Sequence, residues 1–204
     1  MIVTFEGGEG TGKTTCASLL CTHLEETGRA WVLLREPGGS TLSEEIRTLF
    51  LERDMGPMVE LLLVLASRRQ NIDQIVRPAL DAGKIVVIDR FVDSTIVYQC
   101  LVGGLPVEEA RSVMDLTGTW VEPDLTFVLD ADPALTLERA GAATRFERRD
   151  VAYHERVRRA FLDLAVDRRH RVLDASRDLE EVAADMVALF EEAAAARVSG
   201  HRGV

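Results

Sequence analysis

Residues 7–15 fit the phosphate-binding pattern G-x-x-x-x-G-K-[ST] at every fixed position. Glycines in such a loop let consecutive backbone N–H groups turn toward a phosphate, because a Cβ would block that approach. We expect Lys13 to reach the β- and γ-phosphates of a nucleotide and the Thr14 hydroxyl to ligate Mg²⁺. The predicted ATP-binding residues are Gly7, Gly8, Glu9, Gly10, Thr11, Gly12, Lys13, Thr14 and Thr15.

A second candidate group stands at the end of an apolar segment. Residues 84–89 have strand character and end in Asp89, an arrangement that holds Mg²⁺ in P-loop enzymes. We therefore expect Asp89 and Thr14 to bind Mg²⁺ together with a nucleotide. Arg90 follows at once, and residues 91–99 form a loop that enters a helix.

Three further polar positions each have two interpretations. Residues 35–39 leave the second apolar strand at its carboxyl end, where open α/β sheets bind ligands, but Pro-Gly there also suits a plain turn. Arg68 interrupts an apolar helical stretch and points either into a cleft or to solvent. Ser94 and Thr95 face a ligand or cap the helix that follows them.

A basic segment stands out in an acidic chain. Residues 139–171 contain ten arginines against five acids, whereas the whole chain has a net charge of −10. Arg145, Arg148 and Arg149 lie in a part of it without clear hydrophobic periodicity. The segment is either a solvated helix face or a mobile basic lid, at about residues 140–155, that closes over polyphosphate.

Apolar strands alternate with helical segments along the chain, which is typical of an α/β fold. Strands that are apolar throughout are covered on both faces, and this favours a parallel sheet. The 204 residues, 47% of them hydrophobic, can bury one sizeable core, so we expect a single domain over residues 1–204. Residues 197–204 are expected to fray. The predicted strands are residues 2–6, 30–34, 84–89, 125–129 and 172–174.

Composition excludes several classes of partner. A net charge of −10 disfavours nucleic-acid binding, which depends on arginine and lysine neutralising phosphates. The three cysteines show no metal-type spacing, and the first residues enter a strand without a signal peptide. No apolar run approaches the roughly 18–20 residues that span a bilayer. We therefore expect a cytoplasmic protein without a membrane partner.

Taken in order, these motifs resemble the thymidylate kinase family of P-loop nucleoside monophosphate kinases over nearly the whole chain. The resemblance implies a three-layer P-loop NTPase fold, a five-stranded parallel sheet flanked by helices with a mobile lid, and a homodimer. It implies ATP-dependent phosphorylation of dTMP to dTDP in nucleotide biosynthesis. The matching stretches are residues 5–15, Arg35 to Gly39, the helix of Arg68, residues 89–91, Ser94, Thr95, Tyr98 and Gln99, residues 122–126, and Arg145 to Glu147.

The resemblance also assigns roles. By resemblance, Arg68 and Arg90 hold the acceptor monophosphate, Thr95 meets the base edge, and Tyr98 packs where a ribose 2′-hydroxyl would lie. Residues 8–11 contain no arginine, so a lid arginine is expected to meet the transferring group, and Arg145 lies in the matching stretch. The implied substrate-binding residues are Glu9, Arg35, Val64, Arg68, Arg90, Thr95, Tyr98 and Gln99. The implied catalytic residues are Lys13, Asp89, Arg90 and Arg145.

Two positions depart from the usual residues of that family. Glu9 stands where the family usually has an aspartate at the deoxyribose 3′-hydroxyl, and Val64 stands where it usually has a phenylalanine that stacks on thymine. These departures leave open a kinase of another pyrimidine deoxynucleoside monophosphate, such as a modified dUMP. A P-loop ATPase switch is less favoured, because such proteins usually add a second lysine early in the loop and this chain has only Lys13 and Lys84.

Overall fold

A sheet of five parallel strands forms the centre of the computed structural model, which describes residues 1–140 and 144–200. The strands are β1 (Ile2–Gly7), β2 (Trp31–Arg35), β3 (Ile85–Asp89), β4 (Leu125–Asp130) and β5 (His170–Asp174). Their order across the sheet is β2-β3-β1-β4-β5, and each neighbouring pair is parallel. The predicted five-stranded parallel sheet is therefore confirmed.

Helices cover both faces of this sheet. They are α1 (Lys13–Glu26), α2 (Thr41–Glu52), α3 (Pro57–Asn71), α4 (Arg77–Asp81), α5 (Val92–Thr95), α6 (Val107–Leu116), α7 (Pro133–Ala140), α8 (Val151–Leu164) and α9 (Leu179–Gly200). Two stretches of π-helix, Ile72–Val76 and Ile96–Leu101, join α3 to α4 and extend α5. Pro78 has no N–H to donate to the preceding turn, which explains why the helical geometry changes just before it.

The last helix continues beyond the expected fray point. Because α9 runs to Gly200, residues 197–200 of the expected frayed tail have a helical backbone. The rest of the expected frayed tail, residues 201–204, lies outside the described residues. In the described part of the chain, no helix has both the length and the apolar character needed to cross a bilayer.

The two faces of β1 serve different layers of the fold. Val3 and Phe5 point toward α1 and α9, and the Phe5 ring stacks on Phe127 of β4 with centroids 5.3 Å apart. Ile2 points to the opposite face, into a second apolar cluster that includes residues of α3 and α6. Side chains alternate along a strand, and every residue of β1 is buried, so helices cover the strand on both faces. Three layers result.

Parallel strands end at the same edge of the sheet, and this brings three loops together. The phosphate-binding loop follows β1, residues 36–40 follow β2, and Arg90 follows β3. Open α/β sheets bind their ligands at this edge. The predicted site residues of these loops therefore converge on one region.

Candidate active site

The loop between β1 and α1 has the backbone that a phosphate cradle needs. Gly7 and Gly12 adopt φ angles of 132° and 90°, and a Cβ at Gly7 would collide with the carbonyl oxygen of Leu129. Glycine avoids both problems because it has no side chain. Gly12 also precedes α1, so the positive end of that helix faces the loop.

Lys13 folds back over this loop. Its Nζ donates hydrogen bonds to the carbonyl oxygen of Gly8 and, at 3.4 Å, to the Thr11 hydroxyl. The pKa of Lys13 is lowered to about 8, chiefly by burial and also by the charge of Arg90, although nearby carboxylates oppose both effects. An anion in the cradle would favour the charged ammonium. Lys13 is therefore placed to respond to bound phosphate.

Thr14 and Asp89 meet at the end of the sheet. Phe5 of β1 pairs with Asp89 of β3, and the Thr14 hydroxyl donates to Asp89 Oδ2 at 2.5 Å. Mg²⁺ prefers oxygen ligands and usually takes one or two from protein side chains, with phosphates and water completing the shell. The described residues contain no cluster of three or more His, Cys, Asp or Glu side chains that could hold a metal alone. The pair thus fits Mg²⁺ bound together with a nucleotide.

A cavity of about 760 Å³ lies over this loop. Its walls include residues 9–16, and also residues 175–179 between β5 and α9. The predicted substrate residue Arg35 lines this cavity, half exposed, with Nη2 at 2.8 Å from Glu44. The β5–α9 loop was missed from the sequence because no motif marks it. Its position after a strand was the available signal.

Arg90 lies where this cavity meets a second one. It is the non-glycine residue with positive φ, 68°, among those described. Its Nη1 donates to the Gly7 carbonyl oxygen at 3.0 Å, and its Nη2 lies 2.8 Å from Glu9 Oε2. Tyr98 donates to the other Glu9 oxygen at 3.1 Å, and its ring lies 5.3 Å from the Arg90 guanidinium carbon. These predicted residues therefore form one cluster.

The second cavity, of about 120 Å³, contains most of the predicted acceptor-binding residues. Glu9, Val64, Arg68, Arg90, Thr95, Tyr98 and Gln99 all line it. The two cavities share the walls formed by Glu9, Glu36, Arg47, Arg90 and Glu147.

Arg68 points into the protein rather than to solvent, which settles the choice between cleft and surface. Its side chain is fully buried, with Nε 2.7 Å from Glu36 Oε2 and Nη2 2.8 Å from the Thr95 hydroxyl. The guanidinium also lies over the Phe91 ring at 4.7 Å. These contacts put Arg68 beside Thr95, the residue expected at the base edge. They do not favour the monophosphate role that the resemblance gave it.

Arg47 is a site residue that the sequence analysis missed. It lies on α2, lines both cavities, and donates from Nη1 to the Pro37 carbonyl oxygen at 2.8 Å. Burial lowers the pKa of Arg47, and the neighbouring Arg35 charge adds to that fall. Arg47 follows the buried Ser43 by four residues and precedes the buried Phe50 by three. This helical spacing was the signal that could have revealed it.

The described part of the predicted lid before α8 is a turn segment, not a solvated helix face. Residues 144–150 form turns, and Arg145 is buried there, with Nη1 2.7 Å from Glu60 and Nε donating to the Phe50 carbonyl oxygen at 2.8 Å. Arg148 and Arg149 are exposed. Neither cavity is lined by any of these three arginines. Residues 141–143 of the predicted lid lie outside the described residues.

Known proteins share this arrangement. The family model described as thymidylate kinase matches residues 5–186. A thymidylate kinase from Symbiobacterium thermophilum is 42% identical, over 98% of this chain and 97% of that relative. The crystal structure of thymidylate kinase from Ehrlichia chaffeensis, 34% identical, matches with a TM-score of 0.76 over 94% of this chain and 98% of that one. The chain belongs to the thymidylate kinase family.

Family membership confirms several predictions made from the sequence. The fold is the P-loop NTPase fold, and the chain is a phosphotransferase of the thymidylate kinase type, with dTMP phosphorylation as the family's activity. A kinase of another pyrimidine monophosphate and a P-loop switch ATPase are not favoured. The roles of individual residues remain predictions.

A buried acid holds the Arg90 turn in place in this kinase. Glu6 accepts the Phe91 N–H at 2.8 Å and the Ser94 hydroxyl at 2.5 Å. Ser94 is thus a structural partner of Glu6 rather than a helix cap. The pKa of Glu6 is raised to about 7, chiefly by burial and also by the nearby Asp93 charge, while both hydrogen bonds oppose the rise. Asp93 itself is paired with Arg169 and His170.

Glu6 gives the stability of the protein a predicted pH dependence. The folded state keeps a proton on Glu6 up to about pH 7, whereas the unfolded chain releases it near pH 4.5. The folded state therefore binds more protons in this window, and the free energy of unfolding falls as pH rises through it. Relative to wild type, Glu6→Gln should gain about 1–3 kcal/mol between pH 5 and pH 8.

Urea unfolding of both proteins at pH 5, 6, 7 and 8 measures this difference. The exposed Glu52→Gln is the matched control, because it removes one acid without touching the Arg90 turn. Stability curves of Glu6→Gln and wild type that stay parallel across pH would contradict the raised pKa.

Proposed function

We propose that this chain transfers the γ-phosphoryl group of ATP to dTMP, giving dTDP, with the larger cavity as the donor site and the smaller one as the acceptor site. The observation that carries this proposal is the shared wall. Arg90, Glu9 and Arg47 line both cavities, so the two phosphate groups would meet there. Bringing two anionic ligands into line is most of the catalytic task in phosphoryl transfer.

On the donor side, the backbone N–H groups of residues 7–13 and the Lys13 ammonium hold the β- and γ-phosphates. Thr14 and Asp89 hold Mg²⁺, directly or through water. When bound, Mg²⁺ neutralises charge on the β- and γ-phosphate oxygens. The residues 175–179 form the outer wall of this site and would contact the nucleoside part of ATP.

On the acceptor side, Arg90 and Arg47 neutralise the monophosphate. Glu9 would accept a hydrogen bond from the deoxyribose 3′-hydroxyl, and Tyr98, hydrogen-bonded to Glu9, would pack where a ribose 2′-hydroxyl would lie. The base edge faces Arg68, Thr95 and Gln99. A monophosphate oxygen is already ionised near neutral pH, so the reaction needs positioning and charge stabilisation rather than a general base.

A panel of nucleoside monophosphates with ATP and Mg²⁺ tests this assignment. We expect dTMP to have the highest kcat/KM and dUMP to be lower by about tenfold or more, because a pocket shaped for one methyl group discriminates on that scale. AMP, GMP and CMP should be near background. A higher kcat/KM for a modified dUMP or for CMP would contradict the acceptor assignment, and turnover without any monophosphate would favour an ATPase.

We propose Arg148 or Arg149, rather than the sequence-predicted Arg145, as the lid arginine that meets the transferring phosphoryl group. Arg145 would have to leave its buried ion pair with Glu60, and removing one partner of such a pair costs about 3–5 kcal/mol. The alanine variant of the contacting arginine should lose about 10³-fold in kcat, as arginine fingers do. Arg145→Ala should instead lower thermal stability.

Steady-state kinetics and thermal unfolding of the three single variants separate these roles. The alternative, in which Arg145 contacts the transferring phosphoryl group, predicts a different result. If Arg145→Ala lost about 10³-fold in kcat at unchanged melting temperature, Arg145 would be the contacting residue and the buried pair would be dispensable.

We propose that the chain forms a homodimer through α3. Val59, Leu62 and Ala66 are exposed at helical spacing on one face of that helix, so a second copy could cover them. Leu62→Lys should shift the mass in light scattering from dimer toward monomer. Val166→Lys, at an exposed site after α8, is the control. A wild-type mass of one chain would rule out the dimer.

We also propose a cytoplasmic location. Cys16, Cys21 and Cys100 are free and buried, which supports a reducing compartment. Fractionation of the source cells, with recovery of the protein in a membrane or extracellular fraction, would contradict it.

A further inference from the structure

The acceptor cavity is small for its task. Its volume is about 120 Å³, whereas ligand pockets usually measure about 300–1,000 Å³. Part of its wall must therefore yield when a nucleotide enters. Most of that wall belongs to α2, α3 and the helical stretch after Arg90, which are packed into the fold. The rest of the wall comes from Arg90, from Glu9, Glu36 and Pro37 in the loops after β1 and β2, and from the turn segment 144–150, which contributes Thr144, Phe146 and Glu147. Phe146 has the bulkiest apolar side chain of these.

Phe146 supplies the aromatic side chain of the turn segment that lines the acceptor cavity. Its ring stacks on Phe50 with centroids 5.5 Å apart and an interplanar angle of 27°, and it meets Tyr98 edge-on at 5.6 Å. Val64 belongs to the same apolar cluster but has a short branched side chain without a flat face. The aromatic surface on this side of the cavity therefore comes from the turn segment and α2, not from α3.

The turn segment is tied to the residues expected to read the base. Arg145, next to Phe146, pairs with Glu60, and the other Glu60 oxygen accepts from Gln99 at 2.9 Å. Gln99 and Arg145 thus share one buried carboxylate. Gln99, which lines the acceptor cavity, is thus connected through Glu60 to the residue before Phe146, and neither Gln99, Glu60 nor Arg145 lines the donor cavity.

We propose that Phe146 is a specificity-determining residue of the acceptor site: its ring moves aside to admit the pyrimidine and packs against the face of the base. This inference rests on the proposed acceptor cavity. An aromatic ring offers a flat surface that an aliphatic side chain lacks, and such contact adds to binding beyond the area buried. The ring also limits the size of the base, because a purine needs more of the space that Phe146 fills.

Steady-state kinetics of the full chain test the proposal with four variants. Phe146→Ala should raise the KM for dTMP about three- to tenfold, with kcat and the KM for ATP within about twofold. The same variant should also lower the ratio of kcat/KM for dTMP to kcat/KM for dGMP. Adding Val64→Phe to Phe146→Ala supplies a ring from α3, and this double variant should return the dTMP KM to within about twofold of wild type.

Two variants control for stability. Val166→Ala removes an exposed apolar side chain just after α8, outside the predicted lid, and should leave all constants unchanged. Phe146→Leu keeps an apolar side chain of similar volume without a flat face. If Phe146→Ala does not fold, Phe146→Leu carries the test, with a two- to threefold rise in the dTMP KM at wild-type melting temperature.

The outcomes distinguish this inference from the proposed function. If wild type does not phosphorylate dTMP, the proposed function fails. If wild type is active and the dTMP KM of Phe146→Ala is unchanged or lower, Phe146 is not a wall for the base and this inference fails alone. A raised KM that Val64→Phe does not restore would mean that Phe146 acts only through packing, and it would also overturn the inference.

Discussion

The position of the Arg90 guanidinium is the constraint on which the rest of the site depends. Its backbone N–H donates to the Phe5 carbonyl oxygen, and its side chain reaches both Gly7 and Glu9. Burial alone would lower the pKa of Arg90, but the charge of Glu9 and those of other nearby acids raise it, so the cation is retained. The Arg90 side chain therefore links the phosphate-binding loop at Gly7 to Glu9, and it also lines the smaller cavity. Such preorganisation reduces the reorganisation needed when charge develops during transfer.

Strand β1 holds the turn at Arg90 in place. On β1, Phe5 packs into the apolar layer beneath the sheet, and Glu6 points to the other face, where it fixes the turn that holds Arg90. The next residue, Gly7, begins the cradle. A change that shifts β1 would thus affect stability, anion binding and acceptor geometry together, which is a consequence of placing a site at strand ends.

Sequence reasoning succeeded where the chemistry is local and failed where it depends on distant partners. The phosphate loop and the Asp89 strand were predictable, because their functions need fixed spacing within a few residues. The environments of Arg68 and Arg145 were not, since their carboxylate partners, Glu36 and Glu60, are 32 and 85 residues away. On α2, the apolar side chains Leu42 and Leu49 are exposed, at 48% and 46%. Arg47 shares the buried side of that helix instead, which apolar periodicity alone does not reveal.

The pairing of the cations explains how a chain of net charge −10 can bind two anionic ligands. Arg68 is paired with Glu36, and Arg145 with Glu60, so their charges are compensated before any ligand binds. These two arginines therefore position their neighbours rather than attract an anion. Arg47 differs, because its hydrogen bond in this structure goes to a neutral carbonyl, and its lowered pKa reflects burial with other cations nearby. A phosphate at the shared wall would relieve that cost, whereas it would gain less from an arginine already paired with a carboxylate. We therefore expect anion affinity to depend on a few partly compensated cations at this edge of the sheet, such as Arg47 on α2, rather than on the net charge of the chain.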